Sequence, residues 1–179
     1  MHLIPATGSM TITGAGFTLT NTSTLSGISS VTADLDNQGT FIVTGGTSTL
    51  TGALSNTGTI QVHGDDSLGG ATLTLANGFT NNGVIELSSV NGAIVPTLAV
   101  SAGTLVNAAA GQINILAGTG GGRILDAQLD NRGAVSVGAD FTLNKSSAGH
   151  LNSGTIAVTG GNFTLSQGGS PATLNNTGT

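Results

Sequence analysis

One phrase constrains this chain more than any other feature: Leu-x-Asn-x-Gly-Thr-Ile-x-Val. It is plainest over residues 54–62 (LSNTGTIQV) and returns at 35–43 (LDNQGTFIV), 79–87 (FTNNGVIEL) and 129–137 (LDNRGAVSV). Altered copies cover 105–115 (LVNAAAGQINI) and 150–158 (HLNSGTIAV), and a last one, 174–179 (LNNTGT), stops inside the phrase. Its glycines are Gly39, Gly58, Gly83, Gly111, Gly133, Gly154 and Gly178, with gaps of 19, 25, 28, 22, 21 and 24 residues. Self-similarity at such a period marks a solenoid, a stack of short units none of which can bury its apolar side alone.

Each repeat divides into three short runs. Gly-Thr-Ile-x-Val alternates apolar and polar with period two and reads as a strand. A second run, x-Thr-Leu, ends at Leu19, Leu50, Leu75, Leu98, Leu143 and Leu165; in the third of these Ala71-Thr72-Leu73 fits as well as Leu73-Thr74-Leu75. The spacing from Leu75 to Phe79, equal to that from Leu50 to Leu54, favours the second frame. The third run is the Leu-x-Asn lead-in to the next glycine. Upstream, Gly8-Ser9-Met10-Thr11-Ile12 matches the Gly-Thr-Ile run, and residues 21–34 read as a polar excursion between coils.

Three strands per repeat and no helical segment predict an all-β fold, a parallel β-helix of about seven coils with ~23 residues each. The array is expected to span residues 8–179, after a short extension or remnant at 1–7, and to be cut off at its C-terminus. Strand alternation points positions +2 and +4 from each glycine inward: Phe41 and Val43, Ile60 and Val62, Ile85 and Leu87, Ile113 and Ile115, Val135 and Val137, Ile156 and Val158. All five phenylalanines, Phe17, Phe41, Phe79, Phe141 and Phe163, fall on inward columns in this scheme.

Two further columns follow. Asn37, Asn56, Asn81, Asn131, Asn152 and Asn176 stand two residues before their glycines, with Asn107 displaced by inserted alanines. Asparagine suits a corner and, stacked in register, can form an amide ladder, so these residues read as structural. The glycine beside each is expected to supply a positive φ. Thr18, Thr49, Thr74, Thr97, Thr142 and Thr164 form an outward threonine column, a candidate binding face for ligand or for ordered water, although threonine also suits an exposed strand.

Composition removes other classes. Three basic residues against eight acidic ones, a formal charge of −5, leave no footprint for nucleic acid. No apolar run reaches the roughly 18 residues of a membrane span. The opening MHLIPATGSM lacks a charged n-region, so any export signal is expected upstream. The acids Asp34, Asp36, Asp65, Asp66, Glu86, Asp126, Asp130 and Asp140 form no evident pair in adjacent coils, as a polysaccharide-cleaving β-helix would need. Asp126 and Asp130 read as partners of Arg123 and Arg132 in a surface ion cluster. His63-Gly64-Asp65-Asp66 offers one imidazole and two carboxylates, but a solvated turn explains it as well. His150, in an apolar column, suggests a corner slipped by one residue. No catalytic residue, metal or cofactor is expected.

The phrases LxNxGTIxV and FTL resemble the β-helical repeats of large exported bacterial proteins, the filamentous-haemagglutinin-like exoproteins and autotransporter passengers. The resemblance covers nearly the whole chain from Gly8. It implies a right-handed parallel β-helix, secreted or held at the bacterial cell surface, serving as an adhesive or spacer stalk. Expected partners are host or environmental glycans or surface proteins, with end-to-end self-association of open coils. A polysaccharide-acting enzyme and an ice-binding solenoid are the alternatives.

Overall fold

The computed structural model describes residues 10–14 and 16–179, and every regular element in them is a β-strand. Parallel pairing of each strand with its equivalents one coil away builds a β-solenoid of about 8 turns with ~22 residues per turn. The first face carries the Gly-Thr-Ile run: Thr24–Ser26, Thr40–Thr44, Thr59–Asp65, Val84–Asn91, Gln112–Ile115, Ala134–Val137 and Thr155–Val158. The x-Thr-Leu run forms the second face, from Met10–Ile12 and Ile28–Val31 to Phe163–Ser166. The third face carries Leu-x-Asn, from Thr18–Asn21 to Thr173–Asn176. Two strands, Thr97–Asn107 and Arg123–Asn131, run through the corner and join the second and third faces into one sheet.

The extra coil lies where the sequence suggested an excursion. Leu19-Thr20-Asn21 pairs residue for residue with Leu35-Asp36-Asn37, and Thr24-Leu25-Ser26 with Thr40-Phe41-Ile42. Residues 21–34 are therefore a full coil with Ser23 in the glycine position. Phe17 consequently precedes the third-face strand Thr18–Asn21, in which Leu19 is the Leu of Leu-x-Asn, and Phe17 is 49% exposed instead of facing inward. Met10–Ile12 pairs with Ile28–Val31 on the second face and not with the Gly-Thr-Ile strands. The Gly8-Ser9 part of that match, and the 1–7 extension, lie outside the described residues.

The inward columns form one continuous core. Phe41, Val43, Ile60, Val62, Ile85, Leu87, Ile113, Ile115, Val135 and Val137 are all at most 2% exposed. Each such side chain contributes roughly 1.5–3 kcal/mol relative to exposure. Burial fades in the final coil, where Ile156 is half-buried and Val158 is 51% exposed. Phe141 and Phe163 stack with ring centroids 5.6 Å apart.

The glycine column has a different cause from the one expected. None of Gly39, Gly58, Gly83, Gly111, Gly133, Gly154 and Gly178 has a positive φ. A Cβ at Gly58, Gly83, Gly133, Gly154 or Gly178 would instead collide with the carbonyl oxygen of the equivalent glycine one coil earlier. That same carbonyl accepts the N–H of the residue after the next glycine, as in Thr59 to Gly39 at 2.8 Å and Val84 to Gly58 at 2.9 Å. Close approach of backbone to backbone therefore selects glycine at the corner.

Two outcomes test this packing. Gly83→Ala, at a site with ordinary φ, should lower unfolding free energy by about 1–3 kcal/mol in urea titrations; a neutral or stabilising effect would remove the steric argument. Ile60→Asp places a carboxylate at a position with 0% exposure and should abolish the cooperative thermal transition; a normal melt would contradict the inward assignment.

Candidate functional site

The asparagines form a spine along one corner. Side-chain amides link head to tail from Asn21 through Asn37, Asn56, Asn81, Asn107, Asn131 and Asn152 to Asn176, with N···O distances of 2.6–2.9 Å. Asn107 belongs to this chain: the inserted Ala108, Ala109 and Ala110 bulge after it and leave its register with Asn81 and Asn131 intact. Each amide also donates to a backbone carbonyl of the next coil, as Asn37 does to Thr59 at 3.1 Å. The asparagine backbone carbonyls accept N–H groups of the next coil, two at Asn21, Asn37, Asn107, Asn131 and Asn152 and one at Asn56 and Asn81; that of Asn37 accepts from Thr57 and Gly58. From Asn21 to Asn152 these side chains are buried and occupied with one another, which leaves the outer faces to meet a ligand.

Register divides the threonines into two columns and a stray. Thr97, Thr142 and Thr164 share the column of Thr47 and Thr72, interrupted by Ile124. Thr49 and Thr74 occupy the neighbouring column, which continues as Ala99 and Asp126. Thr18 lies on the third face, opposite Asp34. The Thr-x-Thr alternation explains the misreading, because Thr72-Leu73-Thr74 fits either frame with the same inward Leu. The result is a local array in which Thr47 and Thr49 stand beneath Thr72 and Thr74, followed by Thr97. Its spacings are about 6.6–6.8 Å along a strand and about 4.8 Å between coils.

Beside this array one corner protrudes. The connections 65–70, 88–96 and 116–122 stack on one another in three successive coils. They are cross-tied: the Asp66 amide donates to the Asn91 carbonyl at 3.0 Å, and Thr119 Oγ1 donates to the Gly92 carbonyl at 2.6 Å. Apolar side chains crown this knuckle, with Leu68 60%, Val90 46%, Val95 39% and Leu116 39% exposed.

Arg123 fixes the third of these loops. It occupies an inward position, in register with Phe141, and is fully buried. Its guanidinium fills the loop interior and donates to the carbonyls of Leu116, Ala117, Gly120 and Gly121. Burial pushes its pKa below the ordinary arginine value, while Asp140 opposes that shift. Arg123 is thus no member of a surface ion cluster; Asp126 instead meets Lys145 at 3.6 Å, and Arg132 pairs with Asp130 at 2.6 Å.

The Asp130–Arg132 pair borders a shallow groove of about 310 Å³, completed by Leu151, Ser153, Asn175 and Thr177. Asp36 shares the outward column of Asp130 but stands four coils away. His63 is on the first face beside Glu86; burial lowers its pKa and Glu86 partly offsets this. Among the described residues no group of three metal-ligating side chains converges.

His150 reflects a substitution in the apolar column, without the slipped corner suggested by the sequence. It lies in register between Leu129 and Leu174, buried at 0% exposure, while Leu151 faces outward. Its Nδ1 accepts the Leu129 amide at 3.1 Å, and its buried Nε2 has no partner among the described residues. Burial lowers its pKa from 6.5. No family model, curated protein or solved structure gives a match to this chain.

Asn81→Ala should cost about 3 kcal/mol in urea unfolding, since it strands buried partners on both sides; Asn176→Ala, at the exposed end, should be nearly neutral. Equal costs would contradict a buried ladder. A depressed histidine pKa means that the folded state resists the proton the unfolded chain takes up. The stability is therefore whole above 6.5 and declines as pH falls toward the depressed folded value. His150→Leu should flatten the loss of unfolding free energy between about pH 7 and about pH 5, leaving the share of His63. An unchanged pH slope would contradict the burial of His150.

Proposed function

We propose that this chain is a non-enzymatic, rigid segment of a secreted or surface-borne bacterial protein, holding a raised corner toward glycans or protein surfaces. The β-solenoid fits a structural repeat protein. The observation that carries the adhesive reading is the knuckle formed by connections 65–70, 88–96 and 116–122. Three stacked loops, one clamped from inside by a buried arginine, carry exposed Leu68, Val90, Val95 and Leu116 on a scaffold of paired strands. Exposed apolar side chains gathered on the loops of one corner are the kind of surface on which partners dock. The bacterial and exported setting rests on the resemblance of LxNxGTIxV to exoprotein repeats.

The test is binding of the purified chain to immobilised oligosaccharide and extracellular-matrix protein panels. Selective binding that is lost in the Leu68→Ser, Val95→Ser double variant, with an unchanged melt, is the expected result. Binding that survives the double change, or none to either panel, would overturn the reading.

The threonine register favours a second reading, ordered water or ice on the second face. Thr47, Thr49, Thr72, Thr74 and Thr97 form two adjacent outward columns. Under this reading the chain shows thermal hysteresis that Thr72→Tyr removes without unfolding it; hysteresis equal to that of an inert protein ends this alternative.

A further inference from the structure

The sequence contains three Asn-Gly pairs, Asn77-Gly78, Asn82-Gly83 and Asn91-Gly92, and the structure places them in different settings. Asn91 closes the strand Val84–Asn91 just after an irregularity in pairing, where Val90 is turned out and Asn91 aligns with Asp65. Asn91 is exposed, and Gly92 adopts a φ of 69°. The Gly92 carbonyl takes the hydroxyls of Ser89 and Thr119, both at 2.6 Å, whereas no backbone hydrogen bond engages its nitrogen among the described residues. The other two pairs are held more tightly: the Asn77 amide donates to the Thr51 carbonyl at 3.2 Å with Gly78 wedged under the backbone of Thr104, while Asn82 donates its N–H to the Asn56 carbonyl at 2.9 Å with Gly83 buried against the Gly58 carbonyl in the pinned corner.

We propose that Asn91-Gly92 is a self-modification site, at which the Gly92 nitrogen displaces ammonia from the Asn91 side chain and the raised corner gains a carboxylate. The Gly92 N–H gives its proton to solvent base, and the nitrogen attacks Asn91 Cγ. A new C–N bond closes a five-membered imide as the Cγ–Nδ2 bond breaks, and ammonia leaves with the proton. Water then opens the imide at either carbonyl, producing an aspartyl or an isoaspartyl link; the net change is gain of water and loss of ammonia. Only glycine on the C-terminal side leaves the attacking nitrogen so unhindered, and its backbone freedom allows the ring to close.

The neighbours give the modification a structural consequence. Asn91 Nδ2 donates to Asp65 Oδ1 at 3.4 Å, and the Asp66 side chain lies against Gly92. A carboxylate at position 91 exchanges that donor for a like charge facing Asp65, with Asp66 beside it. The tie between the turn at 65–69 and the loop at 88–96 is weakened, and the isoaspartyl product also adds a backbone atom there. The buried ladder asparagines are spared, because each is followed by a residue other than glycine and its amide is bonded on both sides.

The experiment is incubation of the intact chain at neutral and mildly alkaline pH, followed by peptide mapping with mass and isoaspartate detection. The 88–96 peptide should become one mass unit heavier with an isoaspartyl fraction, at a rate that rises with hydroxide concentration and is severalfold faster than at Asn77 or Asn82. Asn91→Gln should remove the signal. An intact Asn91, or faster change at Asn77, at Asn82 or at any ladder asparagine, would overturn the assignment. The structural consequence is read separately in Asn91→Asp by amide hydrogen exchange. Faster exchange at Leu68 and Gly69, whose amides bond the Asp65 carbonyl, is expected there; unchanged exchange would show that the new charge does not loosen the corner.

Discussion

The structure depends on how closely one coil approaches the next at the Asn-x-Gly corner. There the Asn carbonyl accepts one or two backbone N–H groups from the next coil, and the glycine carbonyl accepts another. This leaves no volume for a Cβ on the following glycine. Asparagine completes the corner because its amide both donates to and accepts from its own copy one coil away, while a second N–H reaches a backbone carbonyl. Every polar group drawn into this tight stack finds a partner in an equivalent group, as buried polar groups must. The three faces follow from that pinned corner, since strands leaving it in register stay in register.

A pinned corner also decides where the chain can vary. Gaps between glycines range from 19 to 28 residues, yet the strands after each glycine keep their pairing without a shift until their far ends. Apart from the alanines that bulge after Asn107, the extra length is extruded at the other corners, most of all at 65–70, 88–96 and 116–122. Arg123 shows how such an extrusion is made rigid: an inward position is surrendered to a cation whose donors are met by loop carbonyls in place of a carboxylate. The knuckle is therefore ordered by the same core that supports the strands. A modification at Asn91-Gly92 acts on its outer ties without touching the ladder.

Much of this architecture was legible because solenoid columns repeat a local physical requirement. Inward Ile and Val at +2 and +4, the asparagine spine and the three-strand division all show in the residues. What was hidden lies where a residue departs from the repeat or where period two leaves the frame open. Ser23 replaces the signature glycine, so the coil containing Asn21 reads as a connection in the sequence and Phe17 falls on an inward column that it does not hold in the structure. Thr72-Leu73-Thr74 satisfies two frames, and only the length of the 65–70 connection, invisible to alternation, settles which threonines are neighbours. Arg123 and His150 were read as surface or slipped residues because charge and polarity argue against burial; position in the column overrides that prior. For Arg123 a readable sign existed, since Arg123-Ile124-Leu125 stands where Phe141-Thr142-Leu143 stands one coil later.

The central claim is an unbroken ladder of eight asparagines, including the two that the sequence obscured. Side-chain amide NMR tests it most directly, through cross-relaxation between Nδ2 protons of successive rungs in a uniformly labelled chain. The account predicts contacts linking Asn21 to Asn37 and Asn107 to both Asn81 and Asn131, within one series that ends at Asn176. A series that begins only at Asn37, or that jumps from Asn81 to Asn131, would contradict both the coil count and the register on which the outer faces rest.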